Sequence, residues 1–244
     1  MSSFIRGFRS KGASFSLVKR IYFCLISVLP LQLKYDLNAY LRSPYSKLEN
    51  ENEIIFIHVP KAAGNAVIKT MYGVEATGHD SLKRYCKADS DKYHRFYKFA
   101  VVRNPWDRFV SAFFYLKQGG MGTYDLEFSN KYLSEVSDII SFMDKIISDP
   151  VYRARVINWI HFRPQIYFLS LDGKVLDVNE VIKVENIDEG VKKVAADLNV
   201  EVSSVSKVNS SQRNDYRDYF KESRHYELIK DIYKEDIEVL GYEF

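Results

Sequence analysis

The sequence predicts an α/β fold: a parallel sheet flanked by helices, in a single domain with a basic amino-terminal extension. Three observations predict it. The order apolar strand, polar turn, helix occurs twice, over residues 53–67 and 96–116, and that alternation builds parallel sheets that bind ligands at their carboxyl edge. The chain, at 244 residues, can bury one sizeable core. Its 46% hydrophobic and 27% charged residues are globular values.

The amino-terminal extension is read from charge. Residues 1–50 hold eight of the 35 Lys/Arg but two of the 32 acids, and no acid lies within 1–35. Arg6, Arg9, Lys11, Lys19 and Arg20 precede an apolar run over 21–33 that Ser27, Pro30 and Gln32 interrupt. The run is shorter than the roughly 20 residues of a spanning helix, and no small-residue cleavage site follows it. Two readings stand: a basic amphipathic segment on an anionic membrane face, or a helix packed on the domain with solvated charges. Residues 36–52 are polar, contain Ser43-Pro44 and read as a linker, so the extension is 1–52 and the domain proper 53–244.

The first strand, Ile54 to Ile57, runs into Pro60, Lys61 and Gly64, and a helix over 65–72 follows, ended by Gly73. A helix leaving such a loop aims unpaired N–H groups and its positive dipole end into it, which suits a phosphate. Lys61 adds a mobile point charge. The same pattern fits an ordinary βα turn with a solvated lysine. A turn at 76–78 then delivers His79 and Asp80, with a helix over 81–86.

The second strand ends at Arg103, and Asn104-Pro105 caps and opens a helix. Trp106, Phe109, Val110, Phe113 and Phe114 recur at helical spacing and form its buried face. Arg103, whose planar fork takes two oxygens of a terminal phosphate, and Ser111, two turns into the helix, imply a second anion site. The sheet is therefore P-loop-like, without the ATP-loop motif: Lys61 precedes Gly64 and no Ser/Thr follows to hold Mg²⁺, which argues against a kinase.

Further on, Gly119, Gly120 and Gly122 break the chain, and the polar stretch to Ser137 reads as a lid or a surface loop. Helices are expected over 138–149, 185–198 and 219–240, strands over 166–169 and 181–184, and a polar segment over 203–214. Cys24 and Cys86 make no disulfide framework or metal motif, so no metal is expected. The body is net acidic and carries no recognition motif, so nucleic acid is not an expected partner.

The stretches FIHVPKAAGNAV and FAVVRNPWDRFVSAFFYL resemble, in order and spacing, two motifs of the sulfotransferases that use 3′-phosphoadenosine 5′-phosphosulfate (PAPS), in particular the carbohydrate-type branch. The first resembles that family's 5′-phosphosulfate loop, commonly Pro-Lys-Thr-Ala-Gly-Thr-Ser. The second resembles its 3′-phosphate motif, Arg-(Asn/Asp)-Pro-x-x-Arg-x-x-Ser. FRPQIYFL, VIKVENI and IYKEDIEVLGYEF are similar to its later blocks, so the resemblance covers about 54–244.

The resemblance implies that Lys61 assists the leaving bridging oxygen and that backbone amides of Ala62, Ala63, Gly64, Asn65 and Ala66 hold the 5′-phosphosulfate. It implies Arg103 and Ser111 on the 3′-phosphate, and Asn209 and Arg213 in a late loop over the adenosine. His79 is the implied general base, with His58 as runner-up or packed beneath the loop, and Asp80 orienting His79 or capping the next helix; His161 and Arg163 face an acidic acceptor or are structural. Ala62, Asn65 and Ala66 replace hydroxyl residues common in the family, which implies weaker cofactor binding. The implied reaction is metal-free, in-line sulfuryl transfer to a hydroxyl or amine of a glycan or glycolipid. The expected location is cytoplasmic, peripheral on a membrane through residues 1–35, or the Golgi lumen if that segment is a eukaryotic anchor. The alternative is a non-catalytic, membrane-associated binding protein that keeps the fold.

Overall fold

The computed structural model describes residues 29–75, 78–202 and 213–244. The described residues divide into two compact units at the Ser43–Pro44 junction. In the first, the described part contains one helix, α1 (Leu31–Tyr40), in which Gln32 Nε2 donates to Asp36 Oδ1 at 2.8 Å. Residues 1–28, which carry most of the membrane-contact reading, lie outside the described residues. No helix among the described residues is long and apolar enough to cross a membrane.

The second unit opens with α2 (Lys47–Asn52), closed by a capping box: Ser46 Oγ accepts from Leu48 N, and Glu49 Oε2 accepts from Ser46 N at 2.7 Å. The stretch expected to be a linker is thus largely helical. Strand β1 (Ile54–Ile57) is joined through α3 (Gly64–Tyr72), α4 (Leu82–Ala88) and α5 (Ser90–Arg95) to β2 (Tyr97–Val102). From β2 the chain passes through α6 (Pro105–Lys117), α7 (Thr123–Phe128), α8 (Ile139–Ser148), α9 (Pro150–Ile157) and α10 (Ile166–Leu169) to β3 (Glu180–Lys183). Then come α11 (Ile187–Asp197), α12 (Ser223–Ile232) and α13 (Lys234–Leu240).

The three strands are parallel in the order β1-β2-β3, with Ile54 opposite Tyr97 and Phe99 opposite Glu180. All of β1 and all but Tyr97 of β2 are buried, as a sheet covered on both faces requires. Alternate residues Ile54, Phe56, Phe99, Val101 and Ile182 pack with Val67, Ile68 and Met71 of α3 and Val191 and Val194 of α11. Each such side chain contributes about 1.5–3 kcal/mol on burial. Phe109 and Phe113 of α6 meet Phe142 of α8 at ring separations of 5.7 and 5.1 Å, as the helical spacing predicts. Phe114 is only half-buried.

Four expectations change. Residues 166–169 form a helical turn, not a strand, because the buried Asp236 carboxylate accepts from the N–H groups of Gln165 (2.7 Å) and Ile166 (2.8 Å) and so caps it. The last helix is broken at Tyr233, which is buried with its hydroxyl on the Phe162 carbonyl at 2.7 Å. The stretch after Gly122 holds α7 and a π-turn (Ser129–Leu133). Asp149-Pro150 starts a further helix, with Asp149 Oδ1 accepting from Val151 N and Tyr152 N.

Candidate active site

Parallel pairing sends the carboxyl ends of β1 and β2 to one edge, and the candidate residues of both motifs leave from there. After β1 the backbone turns sharply: Lys61 (φ 65°) and Ala63 (φ 58°) are left-handed, each at a cost of roughly 1–2 kcal/mol, and Ala63 is the N-cap of α3. Among the described residues, the N–H groups of Ala62, Ala63 and Gly64 have no backbone acceptor, while Ala66 N already bonds Ala63 O at 3.0 Å. Three donors therefore open from a helix start, as an anion site needs.

Gly64 is fixed by what lies beneath it. A Cβ there would stand 2.5 Å from His58 Cδ2 and 2.9 Å from Phe56 Cζ. Gly64→Ala is expected to destabilise the chain by about 1–3 kcal/mol, read as a lower thermal midpoint; an unchanged midpoint would mean that the His58 ring swings aside freely.

His58 and His79 are tied reciprocally. His58 Nδ1 donates to Gly78 O at 3.1 Å, and His79 Nδ1 donates to His58 O at 2.8 Å, with the rings 4.3 Å apart. These bonds put the proton on Nδ1 of each ring, so His79 carries its lone pair on Nε2. Burial pushes His58 from 6.5 down to about 4. Between those values the unfolded chain binds more protons than the folded one. The contribution of His58, at most about 3 kcal/mol, is therefore full above pH about 6.5 and is lost as the pH falls towards 4. Thermal midpoints should drop over that window, and His58→Asn should flatten the drop.

The second motif is built on α6. Asn104 Oδ1 caps it by accepting from Trp106 N at 3.1 Å, and the Asn104 N–H donates to Glu185 Oε1 at 2.8 Å. The Arg103 backbone is held by buried Gln165, whose Oε1 accepts from Arg103 N (3.0 Å) and whose Nε2 donates to Arg103 O (2.8 Å). The Arg103 guanidinium donates from Nε to Asp107 Oδ2 at 2.6 Å and from Nη1 to the Lys61 carbonyl at 3.3 Å, joining the two motifs directly. Asp107 also pairs with Arg213. Ser111 is buried on the same helix, and Asn209 lies outside the described residues.

Lys61 Nζ stands 3.8 Å from the centre of the Tyr115 ring. Burial, reinforced by Arg103 and Arg213, lowers Lys61 from 10.5 to about 8, against the raising effect of Asp125. Asp125 accepts from Tyr115 Oη at 2.7 Å and meets His161 Nε2 at 3.0 Å. Although burial works against it, these bonds hold the Asp125 carboxyl below its ordinary value, while burial pushes His161 down. Arg108, fully buried, donates to the carbonyls of His161 (3.1 Å) and Arg163 (2.6 Å). Asp80 pairs with Arg84. Arg163 donates to Asn158 O at 2.8 Å and lies over Tyr167.

Arg103 and Arg213 thus meet at Asp107, Arg103 reaches the Lys61 carbonyl, and His79 meets the loop through His58. Sequence reasoning missed Tyr115, Asp125, Gln165 and Asp107. Asp107 and Tyr115 lie inside the second motif stretch and Gln165 inside FRPQIYFL, whereas Asp125 lies in none of the quoted stretches. Among the described residues no group of three His, Cys, Asp or Glu is arranged to hold a metal ion. Residues 46–243 match a family model described as the sulfotransferase family. No curated protein and no solved structure matches the chain.

Proposed function

The chain belongs to the sulfotransferase family, and from that premise we propose that it moves a sulfuryl group from PAPS to a hydroxyl or amine of a carbohydrate or glycolipid acceptor. The observation that carries the reading is the Arg103 bridge, which sets a guanidinium between the loop at Lys61 and the helix carrying Ser111. A ligand with two separated anionic groups fits that arrangement: open backbone N–H groups for one, and Arg103 with Ser111 for the other. PAPS carries such groups, and the sulfuryl group is what it supplies when bound.

In this reading each residue has one task. The open N–H groups of Ala62, Ala63 and Gly64 bind the 5′-phosphosulfate, while the Ala66 N–H stays committed to Ala63 O, so the loss of hydroxyl side chains at Ala62, Asn65 and Ala66 leaves a three-donor backbone cradle in place. Lys61 brings its ammonium to the bridging oxygen as the S–O bond breaks. His79 takes the acceptor proton on Nε2 as the acceptor oxygen or nitrogen bonds to sulfur. Positioning and fixed charge carry most of the acceleration.

Calorimetric titration with adenosine 3′,5′-bisphosphate tests the reading, followed by a screen of glycans and glycolipids for transfer of labelled sulfate from PAPS. Saturable binding and label on an acceptor are expected. Absence of nucleotide heat would remove the proposal, and nucleotide binding without transfer to any acceptor would favour a non-catalytic binding protein. Binding of residues 1–35 to anionic vesicles is a separate proposal, tested by co-sedimentation of the full chain.

A further inference from the structure

We propose that Tyr115, Asp125 and His161 form a positioning relay for Lys61, in which the Tyr115 ring carries the ammonium, Asp125 supplies its countercharge and buried His161 fixes Asp125. The relay rests on the reading of Lys61 as the group that meets the leaving oxygen.

Lys61 Nζ sits over the Tyr115 ring at 3.8 Å, well within the range in which a ring face attracts a cation. The ring is pinned at its far end. Its hydroxyl donates to Asp125 Oδ2 at 2.7 Å and accepts from Met121 N at 2.9 Å. The glycine turn delivers that N–H: Gly119 and Gly120 have φ of 93° and 66°, and a Cβ on Gly120 would stand 2.3 Å from Asp125 Cβ. The glycine break, expected ahead of a lid or a surface loop, is a turn shaped around the Asp125 side chain. The other Asp125 oxygen meets His161 Nε2 at 3.0 Å, and the His161 carbonyl is held by Arg108.

The charges explain what the arrangement does. Arg103 and Arg213 oppose a third cation at Lys61, as does burial, and Asp125 is the carboxylate that favours it. Burial works against a positive charge on His58 and on His161. A tight Lys–Asp ion pair would have to break before the ammonium could move to a new negative charge. A ring face holds it more loosely, with Asp125 at the hydroxyl end of the ring, so the ammonium can shift to the leaving oxygen as charge develops there.

Lysine ¹³Cε NMR across the alkaline range tests this on the nucleotide-free chain, with the Lys61 signal assigned by its loss in Lys61→Arg. Wild-type Lys61 should titrate near 8. Asp125→Asn should lower that midpoint by roughly one unit and Tyr115→Leu by about half a unit or more, while Tyr115→Phe, which keeps the ring, stays within about 0.3 units. A role confined to packing would lower thermal midpoints and leave the titration in place. An unmoved Lys61 in both Asp125→Asn and Tyr115→Leu overturns the relay; should Asp125→Asn not fold, Tyr115→Leu against Tyr115→Phe decides. No nucleotide enters the measurement, so a failed nucleotide titration removes the functional reading and leaves this result to stand alone.

Discussion

Arg103→Ala is expected to weaken binding of adenosine 3′,5′-bisphosphate by about 100-fold or more, the scale of losing a charge-assisted, two-pronged contact to a phosphate. The substitution removes more than a charge. It releases the Lys61 carbonyl from its 3.3 Å bond and leaves Asp107 with Arg213 alone, so the loop and α6 lose their direct link. The backbone at 103 should stay in place, because Gln165 holds its N–H and carbonyl whatever the side chain. The thermal midpoint should therefore move little while calorimetry records the lost affinity. Arg103→Lys should recover only a small part, since an ammonium cannot reach Asp107, the Lys61 carbonyl and a phosphate in one planar fork. An unchanged dissociation constant in Arg103→Ala would take the residue out of the nucleotide site.

His79→Ala is expected to lower kcat for sulfate transfer by about 10²–10⁴-fold, the usual share of a general base, with nucleotide affinity within about twofold of wild type. The reason is the fixed tautomer. Because the Nδ1 proton is committed to His58 O at 2.8 Å, Nε2 is the basic nitrogen, and the ring cannot turn without breaking that bond. The pH profile of kcat should lose its lower limb in the variant. His58 cannot take over: its ring lies under Gly64, and burial holds it near 4. Retention of wild-type kcat in His79→Ala would pass the proton to a different group.

The two motif stretches were legible because strand, turn and cap signals there agree with one another and, in the second, with the helical period of its apolar residues. Arg103, Lys61 and the α6 face followed from them. The Tyr115–Asp125–His161 chain was not legible, because its members come from one helix end, a short helix behind glycines and a segment with no period. Nothing in one dimension says that Asp125 and His161 meet. The 166–169 run shows a different limit: four apolar residues fit a buried strand or one helical turn equally, and the carboxylate that decides, Asp236, lies 70 residues on. The Ser46 and Glu49 capping box was readable from its spacing, but a polar composition hides so short a helix.

The lowered Lys61 has a consequence for chemical labelling. With its midpoint near 8 rather than 10.5, about a tenth of the Lys61 side chains are uncharged amines at pH 7, against about one in three thousand for an ordinary lysine. Lys61 is thereby more open than an ordinary lysine to an anionic aldehyde or activated ester at pH 7. Such a reagent would be guided by the open N–H groups beside it, and occupancy of the loop by a nucleotide should protect it.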